Sequence, residues 1–573
     1  MSIVAISDGA NSKITNDNLH QLASHLIVAS IDEQDTQDYL TILRSFEAVL
    51  DEIDDAPDCV PNALQAHVSS QPRAYWRPSH EDNVRNAWSH RCDIRSSDLE
   101  ATPNKSLLLA GRTVAIKDNV SVQGLPMTIG IPESLFPNGK YPIATVDASV
   151  VSRILGAGGI IKGTSTCESF CASPLSFTSA TGLVHNALLH GYTSGGSSSG
   201  SAVLVASHVL KEVVEDGNWG ETVELAIGSD QAGSVRNPAC YSGIYGLKPT
   251  FGLVPYTGAA SMTPMIDHIG PLAPDLEGIA ALLEVMAGYD GFDPRMSPES
   301  PLRDQVKPYL TMLKEVRADP SASGRALKVG LLKESFEVAG LSEEVRDTIR
   351  KAAKVYLEAA GAKVVEISVP MHTQGPVIWT AATRPSMSSH LCQGRPSGHL
   401  SYLPSHARIE WPPSQDTYET LTANNPAVVN IMLSELYART TAKPGLEAKA
   451  HRKAFELRVA YDHALAQVDV LIAPCAPTVA VPHPKPAEVD GKKTPILERL
   501  GAAVGATSNT CPFNITGHPA MSVPCGFATD TAHPDVKLPI GMQIIGRRWR
   551  DEDVIKAAAI FEYGRELGTA ELG

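Results

Sequence analysis

Two turns rich in serine and glycine lie close together in the chain and constrain its fold strongly. The first is Thr193-Ser-Gly-Gly-Ser-Ser-Ser-Gly-Ser201, and the second is Gly228-Ser-Asp-Gln-Ala-Gly-Ser-Val-Arg-Asn-Pro238. An apolar stretch typical of a helix, residues 201–210, follows the first turn, and a stretch typical of a strand, residues 222–227, precedes the second. Turns of this composition between regular elements predict a site built from backbone amides and hydroxyl groups.

Short strands alternate with helices through most of the chain after residue 107. Residues 112–117 and 159–163 are typical of strands, and the stretch from 327 to 368 predicts a strand–helix–strand unit. Strands near 469–474 and 540–546 and a closing helix over 554–567 complete the pattern. This alternation predicts an α/β fold, with a sheet covered by helices.

The first 105 residues differ from the rest. Residues 16–56 carry apolar side chains at helical spacing and predict two amphipathic helices, followed by an irregular, proline-containing connection. We therefore expect a helical N-terminal extension over 1–105, which packs on the core or mediates oligomer contacts, and a catalytic domain over 106–573. Within that domain, residues 370–425 show little periodicity and are interpreted as a variable wall of a substrate funnel, whose width also depends on the region near 440–450.

Composition excludes several classes of protein. The net charge of −15 argues against a nucleic-acid surface, which needs a basic face. The chain has no apolar run of about 18 residues and no signal-peptide pattern at its start, so neither a membrane span nor secretion is expected. The nine cysteines show no metal-ligand spacing and are interpreted as buried free thiols in a reducing compartment. These patterns predict a cytoplasmic protein without a metal.

The first turn has several interpretations. Its composition alone suits a flexible linker, although a linker is seldom followed directly by an apolar helix. A phosphate-binding loop lacks its Lys-Ser/Thr pair here. Gly196-Ser-Ser-Ser-Gly200 also matches the nucleophile elbow of a Ser–His–Asp esterase, with Ser198 as nucleophile. The preceding residues make a poor strand and no Asp or His partner is evident, so this mechanism stays an alternative.

The second turn favours acyl transfer. The small residues of Gln231-Ala-Gly-Ser234 allow successive N–H groups to point into one cavity, as an oxyanion hole requires, with a serine as nucleophile. A serine needs a base, and neither turn contains histidine. Lys117, at the end of the strand over 112–117, is a candidate because burial favours the neutral amine. The alternative is an ordinary surface lysine at a strand end.

Several blocks of sequence resemble the amidase signature family and occur in the family's order. They are Val114-Ala-Ile-Lys-Asp-Asn119, Gly195-Gly-Ser-Ser-Ser-Gly-Ser201, Gly228-Ser-Asp-Gln-Ala-Gly-Ser-Val-Arg236 and Gly246-Leu-Lys-Pro-Thr250. Three C-terminal blocks, within 512–520, 523–526 and 541–546, extend the resemblance. The chain is identified as a member of this family from about residue 107 to 565, which implies a central mixed β-sheet with helices on both faces.

The resemblance implies a Ser–Ser–Lys triad and needs no cofactor or metal. Ser234 would be the nucleophile, Ser197 a relay serine on a cis peptide, and Lys117 the base. The remaining implied roles are an oxyanion hole formed by the N–H groups of Gln231, Ala232, Gly233 and Ser234, bracing by Ser198, Asp230 and Arg236, and a substrate pocket lined by Phe170, Cys171 and Ser173, with the Cys171 carbonyl near the leaving nitrogen. Ala232 and Ser199 depart from the family, which usually has glycine at both positions.

Blocks within 165–182, 250–258 and 266–271 resemble the broad-specificity aliphatic and aromatic amidases of microbes. That likeness implies a small amide substrate, with carbamates (urethanes) and esters as further substrates, and we expect a homodimer that binds neither nucleic acid nor membrane. Two alternatives remain within the family: an amidotransferase subunit that works in a tRNA-dependent complex, and a relative that binds without hydrolysing.

Overall fold

The structure is a computed structural model that describes residues 12–25, 31–57, 72–96, 107–214, 217–395, 409–530 and 532–571. The chain divides into two compact units, Met1–Pro61 and Asn62–Gly573.

The smaller unit contains the two predicted helices, α1 (Asn16–His25) and α2 (Glu33–Asp55). Asp32 caps α2 by accepting a hydrogen bond from the N–H of Gln34 at 2.9 Å. Leu40 is buried, whereas the predicted apolar face of α2 is largely exposed, at Tyr39, Phe46, Leu50 and Ile53. The two predicted helices are therefore confirmed, and these four side chains of α2 are exposed.

The larger unit holds all the remaining described elements. Its strands are β1 (Tyr75–Trp76), β2 (Trp88–Ile94), β3 (Thr113–Lys117), β4 (Ile160–Ser165), β5 (Leu225–Ser229), β6 (Tyr245–Lys248), β7 (Ile269–Ala273), β8 (Lys328–Leu332), β9 (Lys363–Ile367), β10 (Val470–Pro474), β11 (Glu488–Val489), β12 (Lys492–Lys493), β13 (Ala520–Asp530) and β14 (His533–Gly546). Its helices are α3 (Ser149–Gly156), α4 (Ser199–Val213), α5 (Arg236–Ser242), α6 (Leu276–Met286), α7 (Tyr309–Ala318), α8 (Pro320–Arg325), α9 (Glu343–Ala359), α10 (Gly375–Leu391), α11 (Gln415–Asn424), α12 (Pro426–Thr441), α13 (Leu446–Leu465), α14 (Ile496–Gly501), α15 (Cys511–Thr516) and α16 (Asp551–Glu571).

Among the described residues, twelve strands form one mixed sheet in the order β1-β2-β4-β3-β5-β7-β6-β13-β14-β10-β8-β9. Strand β3 runs parallel to both β4 and β5, and β8 runs parallel to both β9 and β10. Because β3 and β5 are parallel neighbours, their last residues, Lys117 and Ser229, lie at the same edge of the sheet. This pairing positions the site.

The core lies on both faces of the sheet. In β3, Val114 and Ile116 pack in one apolar cluster with residues of α3, α6, α9 and α16. Ala115, which points to the opposite face, packs with α4 and α5. This alternation confirms the predicted mixed sheet with helices on both faces.

The structure differs from the prediction in two stretches. Strand β2 pairs with β4, so residues expected in an irregular connection before 105 form part of the sheet. Five of its seven residues are polar, charged or cysteine, and most are buried, which hides the alternation that predicts a strand. The segment 370–425, predicted to lack regular structure, contains α10 and α11.

A smaller correction concerns Asp147, whose position before an apolar helical stretch predicts a helix cap. No side chain caps α3. Asp147 instead accepts hydrogen bonds from Arg73, at 2.6 and 2.8 Å, and from the N–H of Gln123 at 2.8 Å.

Two chain-wide features bear on the predictions. None of the helices in the described ranges is both long enough and apolar enough to cross a membrane. The eight described cysteines are free thiols and all are buried; the ninth, Cys59, lies outside the described residues.

Helices α9 and α16 pack so closely that only glycine fits at position 564. A Cβ atom there would lie 1.7 Å from the Tyr356 carbonyl oxygen. We expect Gly564→Ala to lower the free energy of unfolding by about 1–3 kcal/mol, because the helices must separate. The control is Gly501→Ala, where a Cβ meets no atom within 4 Å. Equal urea midpoints for the two variants would contradict this packing.

Candidate active site

Lys117 is fully buried at the end of β3. Its Nζ donates to Ser197 Oγ at 2.8 Å, to Ser229 Oγ at 2.9 Å and to the Ser229 carbonyl oxygen at 3.3 Å. An ammonium group has three N–H donors, and these three acceptors match them. All three acceptors are uncharged, so the lysine is solvated by hydroxyl and carbonyl groups. The surface-lysine interpretation is therefore wrong.

Ser197 lies in the first turn and is also fully buried. The peptide bond between Gly196 and Ser197 is cis, as the family resemblance implied. The N–H of Gly196 donates to the Pro174 carbonyl oxygen at 2.8 Å, and a Cβ at this position would lie 2.5 Å from the Ser173 carbonyl oxygen. Glycine at 196 therefore lets the turn lie directly against the segment around residue 173.

A buried carboxyl group, Glu168, supports the first turn, and no sequence motif pointed to it. It accepts hydrogen bonds from the N–H and hydroxyl of Thr178, both at 2.7 Å, and from Ser199 Oγ at 2.8 Å. Burial raises the pKa of Glu168 to about 7, while these bonds and the charge of Lys117 act in the opposite direction. Ser199, the departure from the family's glycine, thus has a specific partner.

The second turn presents free backbone donors. Within the described residues, the N–H groups of Gln231, Ala232 and Ser234 make no hydrogen bond. The fourth predicted donor, Gly233 N–H, is bonded to Asp230 Oδ1 at 2.8 Å, so it is not available in this conformation. Ala232 does not have a positive φ, so alanine is accommodated at this position without backbone strain.

Asp230 and Arg236 form a fully buried ion pair that braces this turn. Asp230 accepts from Arg236 Nε at 3.0 Å and from its second terminal nitrogen at 2.8 Å. It also accepts from the N–H groups of Gly233 and Val235. Burial alone would raise the pKa of Asp230, but the charge and hydrogen bonds of Arg236 hold it well below its usual range. The contacts agree with the bracing role predicted for both residues.

Ser234 stands at the end of the second turn and borders a cavity of about 190 Å³. Its carbonyl oxygen accepts from the N–H of Ser198 at 3.2 Å, which joins the two turns. The structure brings Lys117 and Ser197 into contact, but none of the hydrogen bonds in the described part of the chain links the hydroxyl groups of Ser197 and Ser234. Ser234 and Ser197 thus lie on joined turns, and their hydroxyl groups are not bonded to each other.

The cavity wall agrees with part of the predicted substrate pocket. Cys171 and Ser173 line it, whereas Phe170 does not: its ring is fully buried in the core. Phe170 and Cys171 have φ values of 52° and 56°, and these left-handed conformations direct the two neighbouring side chains differently from an extended chain. The rest of the wall is mainly apolar and comprises Ala172, Pro174, Gln231, Ala232, Met262, Trp379, Arg384, Met387, Ala427, Ile431, Ala503 and Thr507.

Part of the segment 370–425, interpreted above as a funnel wall, lines this cavity. Trp379, Arg384 and Met387 fall within the segment 370–425. The region near 440–450, which was also expected to shape the pocket, is not among the residues around this cavity. A hydrogen bond with the Cys167 thiol lowers the pKa of the Cys171 thiol to about 7. The charge of Lys117 acts in the same direction, whereas burial raises this pKa.

The elbow interpretation of the first turn does not fit. Ser198 is fully buried, and its hydroxyl donates to the Ser229 carbonyl oxygen at 3.2 Å. No strand leads directly into the turn, and in the residues that the structure describes no histidine contacts Ser198. A Ser–His–Asp arrangement centred on Ser198 is therefore wrong.

Comparison with known proteins places the chain in a family. The amidase family model matches residues 93–555. An enantioselective amidase of Rhodococcus rhodochrous is 34% identical over 498 residues, covering 86% of this chain and 85% of its own length. A glutamyl-tRNA(Gln) amidotransferase subunit of Methanosarcina mazei is 32% identical over 479 residues, covering 80% of this chain and 86% of its own.

Solved structures agree. The peptide amidase of Stenotrophomonas maltophilia matches with a TM-score of 0.58 at 25% identity, over 79% of this chain and 82% of that chain. A bacterial aryl acylamidase of the amidase signature family has the same fold, with a TM-score of 0.58 at 22% identity, over 81% of this chain and 85% of its own. The matches define an enzyme of the amide-hydrolysing class. The chain belongs to the amidase signature family.

The raised pKa of Glu168 predicts a pH-dependent contribution to stability. A carboxyl group whose pKa rises on folding favours the folded state at low pH and loses this contribution as pH rises from about 4.3 to about 7. When the pH rises from 5 to 8, we expect the free energy of unfolding of the parent protein to fall by about 2–3 kcal/mol more than that of Glu168→Gln, because the variant lacks this carboxyl group.

The measurement is urea unfolding of both proteins at the two pH values. Asp118 and Asp551 are buried carboxyl groups with pKa values also raised, to about 6, so they contribute the same slope in both proteins and cancel in the comparison. Parallel pH profiles for parent and variant would show that Glu168 is ionised in the folded protein throughout this range.

Proposed function

We propose that the protein hydrolyses linear carboxylic amides to a carboxylate and ammonia or an amine, through an acyl-enzyme on Ser234. The observation that carries the proposal is the buried hydrogen bond of 2.8 Å between Lys117 Nζ and Ser197 Oγ. This hydrogen bond lies next to the second turn, whose residues Gln231, Ala232 and Ser234 border the cavity. A base, a relay hydroxyl, a nucleophile and oxyanion donors are thus gathered at one end of β3 and β5.

The proposed steps follow from these positions. Ser234 Oγ attacks the carbonyl carbon while its proton passes through Ser197 Oγ to the neutral amine of Lys117. The free N–H groups of Gln231, Ala232 and Ser234 stabilise the oxyanion. The same route, reversed, protonates the leaving nitrogen, and water then hydrolyses the acyl-enzyme. Relay between the serines requires their hydroxyl groups to form a hydrogen bond that the described residues do not make in the resting structure.

The cavity supports small substrates. Its volume of about 190 Å³ and its apolar wall fit a short acyl group. Carbamates (urethanes) and esters present the same carbonyl geometry, so we propose them as further substrates. We also propose a homodimer located in the cytoplasm, where buried free thiols such as the eight described here stay reduced.

A second function is supported by the amidotransferase relatives. Glutamyl-tRNA(Gln) amidotransferase subunits from several organisms match this chain at 29–32% identity. In that case the chain would release ammonia only in a complex with partner chains. Ammonia release by the purified chain from a panel of aliphatic and aromatic amides separates the two functions. Release from glutamine alone, and only after partner chains are added, would favour the amidotransferase.

Substitutions at the triad test the mechanism. We expect Ser234→Ala, Ser197→Ala and Lys117→Met each to reduce kcat/KM for an amide at least about 1,000-fold, since members of a catalytic unit fail together. Ser198→Ala is the matched control: it removes a neighbouring hydroxyl whose bond within the described ranges is to the Ser229 carbonyl oxygen, so the loss stays within about tenfold. An inactive Ser198→Ala beside an active Lys117→Met would contradict the triad.

The base also predicts a pH profile. Because Lys117 accepts the proton only as a neutral amine, we expect kcat/KM for a neutral amide to rise toward alkaline pH. The residual kcat/KM of Lys117→Met should not increase with pH in this way. A maximum below about pH 6 in the parent enzyme would contradict a lysine base.

A further inference from the structure

One residue of the cavity wall differs from all its neighbours. Among the described residues that line the cavity, Arg384, on α10, is the single charged side chain, and the others are apolar or uncharged. No carboxylate within the described ranges forms an ion pair with it, and its Nε is buried without a hydrogen-bond partner. Burial lowers the pKa of Arg384, and no acidic neighbour opposes this effect.

Buried arginines elsewhere in the described chain have acceptors. Arg236 binds Asp230 at 2.8 Å, and Arg499 donates to two backbone carbonyl oxygens. The undescribed residues that follow α10 in the sequence, 396–408, include no Asp or Glu. An arginine with no acceptor and a buried Nε is costly to retain, so its presence beside a substrate cavity points to an acceptor that arrives with the substrate.

The position of Arg384 is set by the catalytic turn itself. Trp379 Nε1 donates to the Gln231 carbonyl oxygen at 3.0 Å, which attaches α10 to the turn that supplies the oxyanion donors. Thr383 Oγ1 donates to the Trp379 carbonyl oxygen at 2.8 Å and stays within the helix. Arg384, further along α10, then faces the same cavity as Ser234. Helix α10, which carries Arg384, is therefore attached to the turn that ends in Ser234.

We propose that Arg384 binds a carboxylate of the substrate, so that the enzyme prefers short amides that carry a carboxylate at the end of an apolar chain. This inference rests on the amide hydrolysis proposed above. The planar guanidinium presents paired N–H donors that match the two oxygens of a carboxylate. A phosphate dianion would need a second cation, and the wall has no other charged residue among those described.

The overall charge of the protein strengthens the assignment. With a net charge of −15, the protein offers no general attraction to anions. A preference for anionic substrates would therefore have to come from a local contact, and Arg384 is the cation beside the cavity. The neighbouring Met387 and Ile431 provide apolar surface for the methylene chain.

Matched substrates test this proposal. The monoamides of succinic, glutaric and adipic acid are compared with butanamide, pentanamide and hexanamide, which have the same chain lengths without the carboxylate. We expect kcat/KM for at least one monoamide to exceed that for its neutral partner about 10- to 100-fold, which is the effect of one hydrogen-bonded charge pair. Arg384→Gln should remove this preference, so that the ratio of kcat/KM for the monoamide to that for its neutral partner falls to about one.

Two further variants sharpen the result. Arg384→Lys keeps the charge but loses the paired donors, so it should retain part of the preference. Lys449→Gln, which removes an exposed charge from α13, should retain all of it. A monoamide preference that is absent from the parent, or unchanged in Arg384→Gln, would overturn the proposal.

Failure of the underlying amidase function is recognised separately. If the parent hydrolyses the neutral amides but shows no monoamide preference, only the role of Arg384 is wrong. If it hydrolyses no amide, the amidase function is wrong. Binding of the same amides to Ser234→Ala, with and without Arg384→Gln, is measured by calorimetry and needs no turnover. Tighter binding of the monoamide that is lost with Arg384→Gln supports the carboxylate site. Equal binding of the monoamide and its neutral partner overturns it.

Discussion

The buried ion pair of Asp230 and Arg236 holds together segments that lie far apart in the chain. Asp230 shapes the oxyanion turn by accepting from Gly233 and Val235, while Arg236 also donates to the Thr510 carbonyl oxygen and to Gln543 Oε1. Breaking a buried pair of this kind typically costs about 3–5 kcal/mol, because one charge is left without a partner. The turn is therefore attached to the C-terminal strands as well as to its own neighbours.

The two buried cations of the site have opposite kinds of partners. Arg236 has an ionised carboxylate, which fixes its charge, whereas Lys117 contacts only the oxygens of Ser197 and Ser229 among the described residues. In the proposed mechanism Lys117 accepts and returns a proton during each cycle, and neutral acceptors suit this role because a carboxylate contact would favour the ammonium form. Glu168 stands behind the relay turn, and its own raised pKa leaves it largely protonated below neutral pH. Arg236, which braces the turn, and Lys117, the proposed base, thus have different kinds of partners within one site.

Sequence motifs pointed to Lys117, Ser197 and Ser234 as candidates, because the chemistry proposed for them depends on residue types at particular positions in turns and strand ends. Features that depend on three-dimensional contacts were missed or wrong. The N–H of Gly233 donates to Asp230, and the ring of Phe170 lies in the core. Both depend on local backbone angles, which cannot be read from a pattern of side chains. Helix α10 contains Pro385 and mixes polar with apolar residues, so its periodicity is weak although it forms one wall of the cavity.

The architecture also separates the proposed catalytic residues from one wall of the cavity. The proposed triad and oxyanion donors lie on strand ends and turns of the sheet, whereas α10 and α12 supply Arg384, Met387 and Ile431 to the cavity wall. None of these three wall residues takes part in the hydrogen bonds that the structure describes for Lys117 and Ser197. Trp379 is the exception, because its bond to the Gln231 carbonyl oxygen joins the wall to the oxyanion turn. A larger change of α10 would therefore move the catalytic donors together with the pocket.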